Sequence, residues 1–125
     1  MKSVINKATV NGEKELEIIT SKAIRELRVF VHHKGYRYLR RCIVLTVKDE
    51  TLADDLKKRL YVMVAEEYGV NFQQVERSIR SVIERAWEQA NIDIIEKYFG
   101  YYNPDDCPSN KRFITTVAEY IRLRL

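Results

Sequence analysis

A run of long polar side chains after Asn71 has the chemistry needed to recognise the edges of nucleic-acid bases. An Arg side chain can donate two hydrogen bonds to O6 and N7 of guanine, Gln can pair with N6 and N7 of adenine, and Glu can accept from N4 of cytosine. Each well-formed pair discriminates between bases by about 1 to 3 kcal/mol. The candidate base-contact residues are Gln73, Gln74, Glu76, Arg77, Arg80 and Ser81.

Helical periodicity predicts that these side chains lie on the outside of a long helix. At about 100° per residue from Gln73, the apolar residues fall in one arc of about 180° to 280°, which is the face that packs on the domain. These apolar residues are Val75, Ile79, Val82, Ile83 and Ala86. Arg77 falls at about 40°, almost opposite the apolar arc, and Glu76 lies on its rim, where it can reach outward or pair with Arg80. A solvated polar face on any long helix has the same pattern, so that interpretation stays open.

The residues in front of this helix favour a helix-turn-helix. Gly69-Val70-Asn71 separates two segments with helical spacing, and a connection of three or four residues that contains Gly is typical of this motif. Asn71 can cap the second helix, and Gln74 follows at the spacing of a capping box. A helix over residues 72–90 behind such a turn is suited to the major groove of DNA, which admits an α-helix.

The remaining apolar spacing predicts an all-α domain of about six helices. Residues 1–15 predict a flexible leader or a short hairpin at Asn11-Gly12, and residues 16–125 form the helical domain. Only four Gly and two Pro occur, which disfavours an all-β domain because such domains need frequent turns. Besides 72–90, the expected helices cover residues 16–31, 36–47, 52–68 and 92–99, and a last one begins near residue 109.

Basic side chains concentrate in two segments and favour contact with phosphates. The chain carries 22 Lys and Arg against 18 Asp and Glu, a formal net charge of +4. Between residues 21 and 41, however, seven basic residues oppose only Glu26, and between 109 and 125 four oppose only Glu119. Neutralised phosphates release counterions and so supply affinity without sequence preference. The candidates for phosphate or minor-groove contact are Lys34, Arg37, Arg122 and Arg124, all near loops or the chain end.

The sequence offers no chemistry for an enzyme, a metal site or a cofactor. No Gly-rich phosphate loop, nucleophile elbow or zinc-ligand run occurs. His32 and His33 are neighbours that point in different directions, so they cannot chelate one metal ion. Cys42 is expected in the core, and Cys107 lies in a loop with no obvious base beside it. We therefore expect no catalytic residue, no metal and no cofactor.

Length and composition fit one cytoplasmic domain. With 125 residues, of which 46% are hydrophobic and 32% charged, the chain has room for a single core. Two cysteines are too few for a disulfide framework, which favours a reducing compartment. No apolar run approaches the roughly 18 residues that a membrane span requires, so we expect no membrane contact.

Several blocks of sequence carry a resemblance to a known family. They are Lys34-Gly35-Tyr36-Arg37-Tyr38-Leu39-Arg40, Val75-Glu76-Arg77-Ser78-Ile79-Arg80 with Ala86-Trp87, Asn91-Ile92-Asp93, Phe99-Gly100-Tyr101, Pro108-Ser109-Asn110 and Phe113-Ile114. In this order, over most of residues 21–125, they closely resemble the C-terminal effector domain of the sporulation initiation response regulator, the stage zero sporulation protein A family.

The resemblance implies a six-helix, cytoplasmic, bacterial DNA-binding domain of the response-regulator effector class, which is winged-helix-like. Its third and fourth helices would form the helix-turn-helix. The expected partners are double-stranded promoter DNA, often as tandem elements, and the sigma factor of RNA polymerase. A homodimer on tandem sites would use the last helix.

The resemblance also implies which residues contact DNA. Glu76, Arg77 and Arg80 match the family's recognition helix, so contact with bases or adjacent phosphates carries over to them. The match fails at the other three candidates, Gln73, Gln74 and Ser81. Their contacts rest on the helical geometry alone, and we expect the preferred DNA sequence to differ accordingly.

One departure from the family concerns control by phosphorylation. Members with this effector normally carry an N-terminal phosphoacceptor receiver domain, which the sequence as given lacks. We expect either a stand-alone relative or an excised piece of a longer protein.

The predicted function is sequence-specific, DNA-binding transcription regulation. The alternative is a protein-interaction module of the same fold that binds a sigma factor or regulator but no longer DNA, and the presence of Arg77 and Arg80 argues against it.

Overall fold

The computed structural model describes residues 10–125, which form six α-helices. The helices are α1 (Val10–Glu26), α2 (Tyr36–Lys48), α3 (Tyr61–Tyr68), α4 (Phe72–Glu88), α5 (Ile92–Phe99) and α6 (Asn110–Arg122). A 3-10 helix, Glu50–Asp54, and a π-helical turn, Leu56–Leu60, connect α2 to α3. No β-strand occurs in this part of the chain, which confirms the all-α prediction and leaves the helix-turn-helix without a wing of strands.

α2 is the central helix of the fold. Its residues Leu39, Cys42, Ile43 and Val44 are completely buried, and α1, α4 and α6 pack around them. The buried position of Cys42 confirms its expected place in the core. Burial also raises the pKa of the Cys42 thiol, so this side chain is an uncharged packing residue.

α1 begins earlier than the sequence predicts. The Asn11-Gly12 pair lies within its first turns, not in a leader or hairpin, while residues 1–9 lie outside the described part of the chain. Glu13 holds this end of the helix, since its carboxylate accepts hydrogen bonds from Arg41 at 3.3 Å and from Lys48. Both partners belong to α2, so the contact that stabilises the start of α1 comes from tertiary structure and not from local sequence.

α1 also ends earlier than predicted, because Arg28 adopts the left-handed conformation with a φ of 72°. The amide of Val29 donates to the carbonyl oxygen of Ile24 at 2.8 Å and closes the helix as a Schellman turn does. Val29 is then buried, whereas Val31, which the apolar spacing places on the packed face, is 71% exposed. The predicted extension to residue 31 is wrong because the chain turns at an Arg, where no Gly signals the helix end.

The segment 52–68 is not the single helix that its spacing predicts. Asp55, with a φ of −146° and a ψ of 80°, leaves the helical conformation and interrupts the segment, and Asp49 adopts an extended conformation in front of the 3-10 helix. The Asp49 carboxylate accepts a hydrogen bond from the amide of Thr51 at 3.1 Å, and the Asp55 carboxylate accepts one from the amide of Lys58 at 3.2 Å. Each Asp therefore starts a new turn, and a regular α-helix begins only afterwards.

α3 and α4 form the predicted helix-turn-helix. Gly69 has a left-handed φ of 67°, and the amide of Val70 donates to the carbonyl oxygen of Ala65 at 3.0 Å. The side-chain oxygen of Asn71 then accepts a hydrogen bond from the amide of Gln74 at 2.8 Å. The predicted turn and its cap are confirmed. So is the packed face of α4, because every member of the predicted apolar arc is buried: Val75, Ile79, Val82, Ile83 and Ala86.

The last two helices lie close to their predicted ranges. α5 ends at Gly100, which has a left-handed φ of 87°. α6 begins behind Ser109, whose hydroxyl oxygen accepts a hydrogen bond from the amide of Arg112 at 3.1 Å. Within residues 10–125 there is no helix with the length and apolar character that crossing a bilayer requires.

Candidate nucleic-acid interface

The exposed side of α4 forms a strip that we call the α4 ridge, defined by Gln73, Arg77, Ser81 and Arg85. These residues are four positions apart, so they follow one another along the helix surface. All four are exposed, and they lie away from the buried apolar arc. Arg77 can therefore reach a ligand, as base recognition requires.

A groove of about 370 Å³ separates the α4 ridge from the connection between α1 and α2. We call it the loop-side groove. Lys34 and Arg85 line it, together with His32, His33 and Gly35. None of the described residues that line it carries a carboxylate, so fixed positive charge dominates its walls.

A second groove, of about 680 Å³, lies on the other flank of the ridge, between α4 and the start of α6. We call it the α6-side groove. Its charged side chains include Glu76, Arg80, Glu84 and Lys111. Arg77 and Ser81 line both grooves and are thus the crest between them.

Asn110 fastens the start of α6 to α4. Its side-chain nitrogen donates to the carbonyl oxygen of Glu76 and to the hydroxyl oxygen of Tyr61, each at 3.1 Å. Burial, as the largest cause, raises the pKa of Tyr61 to about 12, so its hydroxyl keeps its proton at neutral pH. Because Asn110 is itself buried, these bonds fix the position of the next residue, Lys111, at the edge of the α6-side groove.

Arg80 is held by the loop in front of α6. Its Nη2 donates to the carbonyl oxygen of Pro108 at 2.9 Å and to Sγ of Cys107 at 3.2 Å. Its Nε lies 3.4 Å from a carboxylate oxygen of Glu84, so of the two possibilities for Glu76 the pairing with Arg80 is not the one observed. The loop draws the guanidinium towards α6, so Arg80 is partly engaged within the chain, and about a third of its side chain is exposed.

The remaining base-contact candidates lie on the rim of the ridge. Gln74 and Glu76 are half-buried, in contrast to the exposed Gln73, Arg77 and Ser81. The amide of Gln74 bonds to Asn71, and the carbonyl oxygen of Glu76 bonds to Asn110. The structure thus brings all six candidates to one side of α4 but does not make them equally accessible.

Two of the four phosphate candidates lie on exposed surface near the first turn of α2. Lys34 is exposed in the loop-side groove. Arg37 is also exposed, and its guanidinium lies 5.4 Å from the centre of the Tyr68 ring at the end of α3. Both side chains are therefore accessible to a ligand.

The other two phosphate candidates lie at the far end of α6, about 18 Å along the helix from its first residue. Arg122 donates to the carbonyl oxygens of Thr46 at 2.8 Å and Val47 at 3.4 Å, so it caps the last turn of α2. The guanidinium of Arg124 lies 3.4 Å from the centre of the Tyr120 ring. Neither lines a groove beside the ridge, so the structure separates them from Lys34. That they contact phosphate stays a prediction.

Two basic residues, one on the α4 ridge and one beside it, are missing from the sequence-based candidates. Arg85 lies two helical turns beyond Arg77, and helical spacing alone could have identified it. Lys111 belongs to α6 and reaches the ridge only through the contact between Asn110 and α4. No local pattern could have identified that neighbour.

The loop-side groove is charged by its Lys and Arg side chains, not by His33. Burial, followed by the nearby charges of His32 and Arg85, lowers the pKa of His33. The amide of Phe30 donates to Nδ1 of His33 at 3.2 Å, which requires an unprotonated nitrogen. His33 is thus neutral at pH 7, and Lys34 with Arg85 supplies the positive charge.

Cys107 lies beside the candidate site, where its sulfur contacts Arg80. Burial, as the largest cause, raises the pKa of Cys107, so its sulfur is a thiol and not a thiolate nucleophile. In residues 10–125 no three or more His, Cys, Asp or Glu side chains come together as metal ligands would.

Comparison with protein families agrees with this geometry. The model of the family described as sporulation initiation factor Spo0A C terminal matches residues 20–121, which include α2 to α5, α6 as far as Ile121 and the last seven residues of α1. That family comprises DNA-binding regulatory domains. The matched range contains the helix-turn-helix, the α4 ridge and both grooves. The chain therefore belongs to the family of the C-terminal domain of sporulation initiation factor Spo0A.

Proposed function

We propose that this chain is a sequence-specific transcription regulator that places α4 in the major groove of promoter DNA. The observation that carries the proposal is the exposure of Arg77 on the crest between two grooves. The major groove admits an α-helix, and an Arg on the exposed side of that helix can donate two hydrogen bonds to guanine. Arg77 is accordingly the principal base-reading residue.

The neighbours of Arg77 take secondary roles in this proposal. Gln73 and Ser81 lie on the same ridge and contact adjacent bases. Gln74 and Glu76, on the rim, contact bases at the edge of the site. Arg80 donates with the part of its guanidinium that Pro108 and Glu84 leave accessible.

Phosphate contacts fix the register of the helix in the groove. We assign them first to Lys34 and Arg37, which are exposed near the first turn of α2. Arg122 and Arg124 are left out of this surface, because they lie at the far end of α6 and are engaged with α2 and with Tyr120.

The proposal includes two protein partners, which are expectations from the sequence resemblance. One is a second copy of this chain on tandem promoter elements, with the contact between copies at α6. Leu123, directly behind α6, is 71% exposed and offers an apolar side chain for such a contact. The other partner is the sigma factor of RNA polymerase.

The experiment begins with selection of bound sequences from a random duplex pool. Fluorescence anisotropy then measures affinity for the selected duplex and for an unrelated one at several salt concentrations. We expect the affinity to fall steeply as salt rises, because phosphate contacts release counterions. Arg77→Ala should cost about 1 to 3 kcal/mol on the selected duplex and much less on the unrelated one. Arg124→Ala, which removes the same charge far from α4, is the matched control.

Two results would count against the proposal in different ways. If Arg77→Ala binds every duplex as tightly as the wild type, Arg77 does not read a base. If the wild type binds no duplex even at low salt, the chain is instead an interaction module of the same fold. A pull-down with purified sigma factor then tests that alternative.

A further inference from the structure

The α4 ridge has a groove on each flank, and the two grooves share the ridge as a common wall. Arg77 and Ser81 contribute to both. The loop-side groove separates the ridge from the connection between α1 and α2, and the α6-side groove separates it from the start of α6. An exposed helix on a flat surface would not have this shape.

The dimensions of a DNA duplex explain why a recognition helix needs a groove on each of its sides. An α-helix with its side chains is about 10 to 12 Å across, and the major groove is about 12 Å wide. A helix that fills the major groove therefore has one sugar-phosphate strand immediately on each side. A protein surface that accommodates both strands needs a channel on each flank of the recognition helix.

Each channel also carries cations for a phosphate strand. In the loop-side groove these are Lys34 and Arg85, both exposed. In the α6-side groove, Arg80 is engaged with Glu84 and Pro108, whereas Lys111 is exposed.

The ammonium group of Lys111, at the edge of the α6-side groove, is available to an anion. Within residues 10–125 its ammonium forms no ion pair and no hydrogen bond. The groove also contains the carboxylates of Glu76 and Glu84, but the second is paired with Arg80. Counting Arg77, positive side chains outnumber carboxylates there. Asn110 bonds to α4 and holds the backbone of Lys111 at the groove edge.

We propose that the two grooves receive the two sugar-phosphate strands of one duplex, with Lys111 on one strand and Arg85 with Lys34 on the other. This inference rests on the proposed function. It adds Lys111 and Arg85 as phosphate-contact residues and assigns them to opposite strands. The ligand of both sites is the phosphodiester of double-stranded DNA.

Neutral methylphosphonate linkages, placed one at a time in the selected duplex, test this assignment. The wild type should lose affinity at two clusters of positions, one on each strand. Lys111→Gln should become insensitive to neutralisation of one strand, and Arg85→Gln to neutralisation of the other. For each variant, the plot of log affinity against log salt should be less steep by about 0.9, the loss of one phosphate contact. Lys22→Gln is the matched control, since Lys22 is exposed and lines a separate cavity formed by α1, α5 and the end of α6.

The outcomes separate this inference from the proposed function. If the wild type binds the duplex but Lys111→Gln behaves like Lys22→Gln, the α6-side groove holds no phosphate strand. If Lys111→Gln and Arg85→Gln lose sensitivity on the same strand, the two-channel arrangement is wrong. If the wild type binds no duplex at all, the proposed function fails and this inference fails with it. Circular dichroism of each variant establishes that the fold is intact.

Discussion

Gly35 lies directly against the backbone of Ser78: a Cβ atom at Gly35 would stand 2.4 Å from the Ser78 carbonyl oxygen. No side chain fits in that space, so only Gly lets the connection between α1 and α2 touch α4 this closely. The φ of Gly35 is −79°, which any residue can adopt. The requirement at this position is therefore steric, and it sets the distance between Lys34 and the α4 ridge.

Gly35→Ala should accordingly weaken both folding and DNA binding. The methyl group must push the loop away from α4, and overpacking of this kind costs about 1 to 3 kcal/mol. The same displacement moves Lys34 out of the loop-side groove. Urea unfolding measures the first effect, and anisotropy with the selected duplex measures the second.

Gly100→Ala provides the control for Gly35→Ala. Gly100 has a left-handed φ of 87° but open space around its Cα, so Ala there introduces backbone strain without a clash. The strain should cost about 1 to 2 kcal/mol of stability. DNA affinity should not change, because Gly100 lies at the end of α5. Equal DNA affinities for the two variants would show that the contact of Gly35 with Ser78 does not position Lys34.

Asn71→Ala should destabilise the chain by about 0.5 to 2 kcal/mol, because the first turn of α4 loses its side-chain cap. Asn91→Ala is the matched control, since Asn91 caps α5 in the same way through the amide of Ile94 at 3.3 Å. Urea unfolding should show a similar loss for both variants. Only Asn71→Ala should also weaken DNA binding, since Gln73 and Arg77 lie in the first turns of α4. An unchanged unfolding midpoint for Asn71→Ala would contradict the capping role.

Arg122→Ala should lower stability without lowering DNA affinity. The guanidinium bonds to two carbonyl oxygens in the last turn of α2, and their loss leaves half-buried acceptors unpaired at a cost of about 1 to 3 kcal/mol. Affinity measured at a temperature where both proteins are fully folded should equal that of the wild type. A flatter salt dependence for Arg122→Ala would instead return this residue to the phosphate contacts.

Stability should fall in acid in part because of Glu26. The Tyr98 hydroxyl donates a hydrogen bond to its carboxylate at 2.7 Å, and chiefly this bond, helped by Lys97, holds the pKa of Glu26 below 4.5. The unfolded chain thus takes up this proton at a higher pH than the folded chain does. The contribution of Glu26 is therefore complete above about pH 4.5 and disappears as the pH falls through the lower, folded pKa.

Glu26→Gln should remove this part of the pH dependence. The midpoint of urea unfolding, followed from about pH 6 to pH 3, should fall less for the variant than for the wild type. Glu96→Gln, an exposed substitution on α5, should leave the wild-type slope in place. The same slope in Glu26→Gln and the wild type would show that the Tyr98 bond does not stabilise the ionised carboxylate.

The sequence predicts the helix-turn-helix well because its signals are local. Gly69, Asn71 and the apolar spacing of α4 each act within a few residues of where they stand. The prediction fails at the end of α1, where Arg28 adopts a conformation that Gly usually takes. It fails again at Asp55, where a side-chain cap restarts the helix within an apolar pattern that continues on both sides.

In the candidate site, too, the sequence predicts the residues that have a local signal and misses those placed by distant contacts. Arg77 is found from helical spacing alone, because the opposite face of the same helix is apolar. The engagement of Arg80 with Pro108, the cap that Arg122 forms on α2, and the place of Lys111 beside α4 all join residues far apart in the chain. Helical periodicity does not encode contacts between distant residues. A count of basic residues does not encode them either, because it does not distinguish an internally bonded Arg from an accessible Lys.

The length of the α4 ridge limits how much DNA one chain can read. From Gln73 to Arg85 the helix rises about 18 Å, and a duplex rises about 3.4 Å for each base pair. A straight helix in a curved groove therefore spans no more than about five base pairs. A binding site longer than that needs a second recognition element, such as the α4 ridge of a second chain.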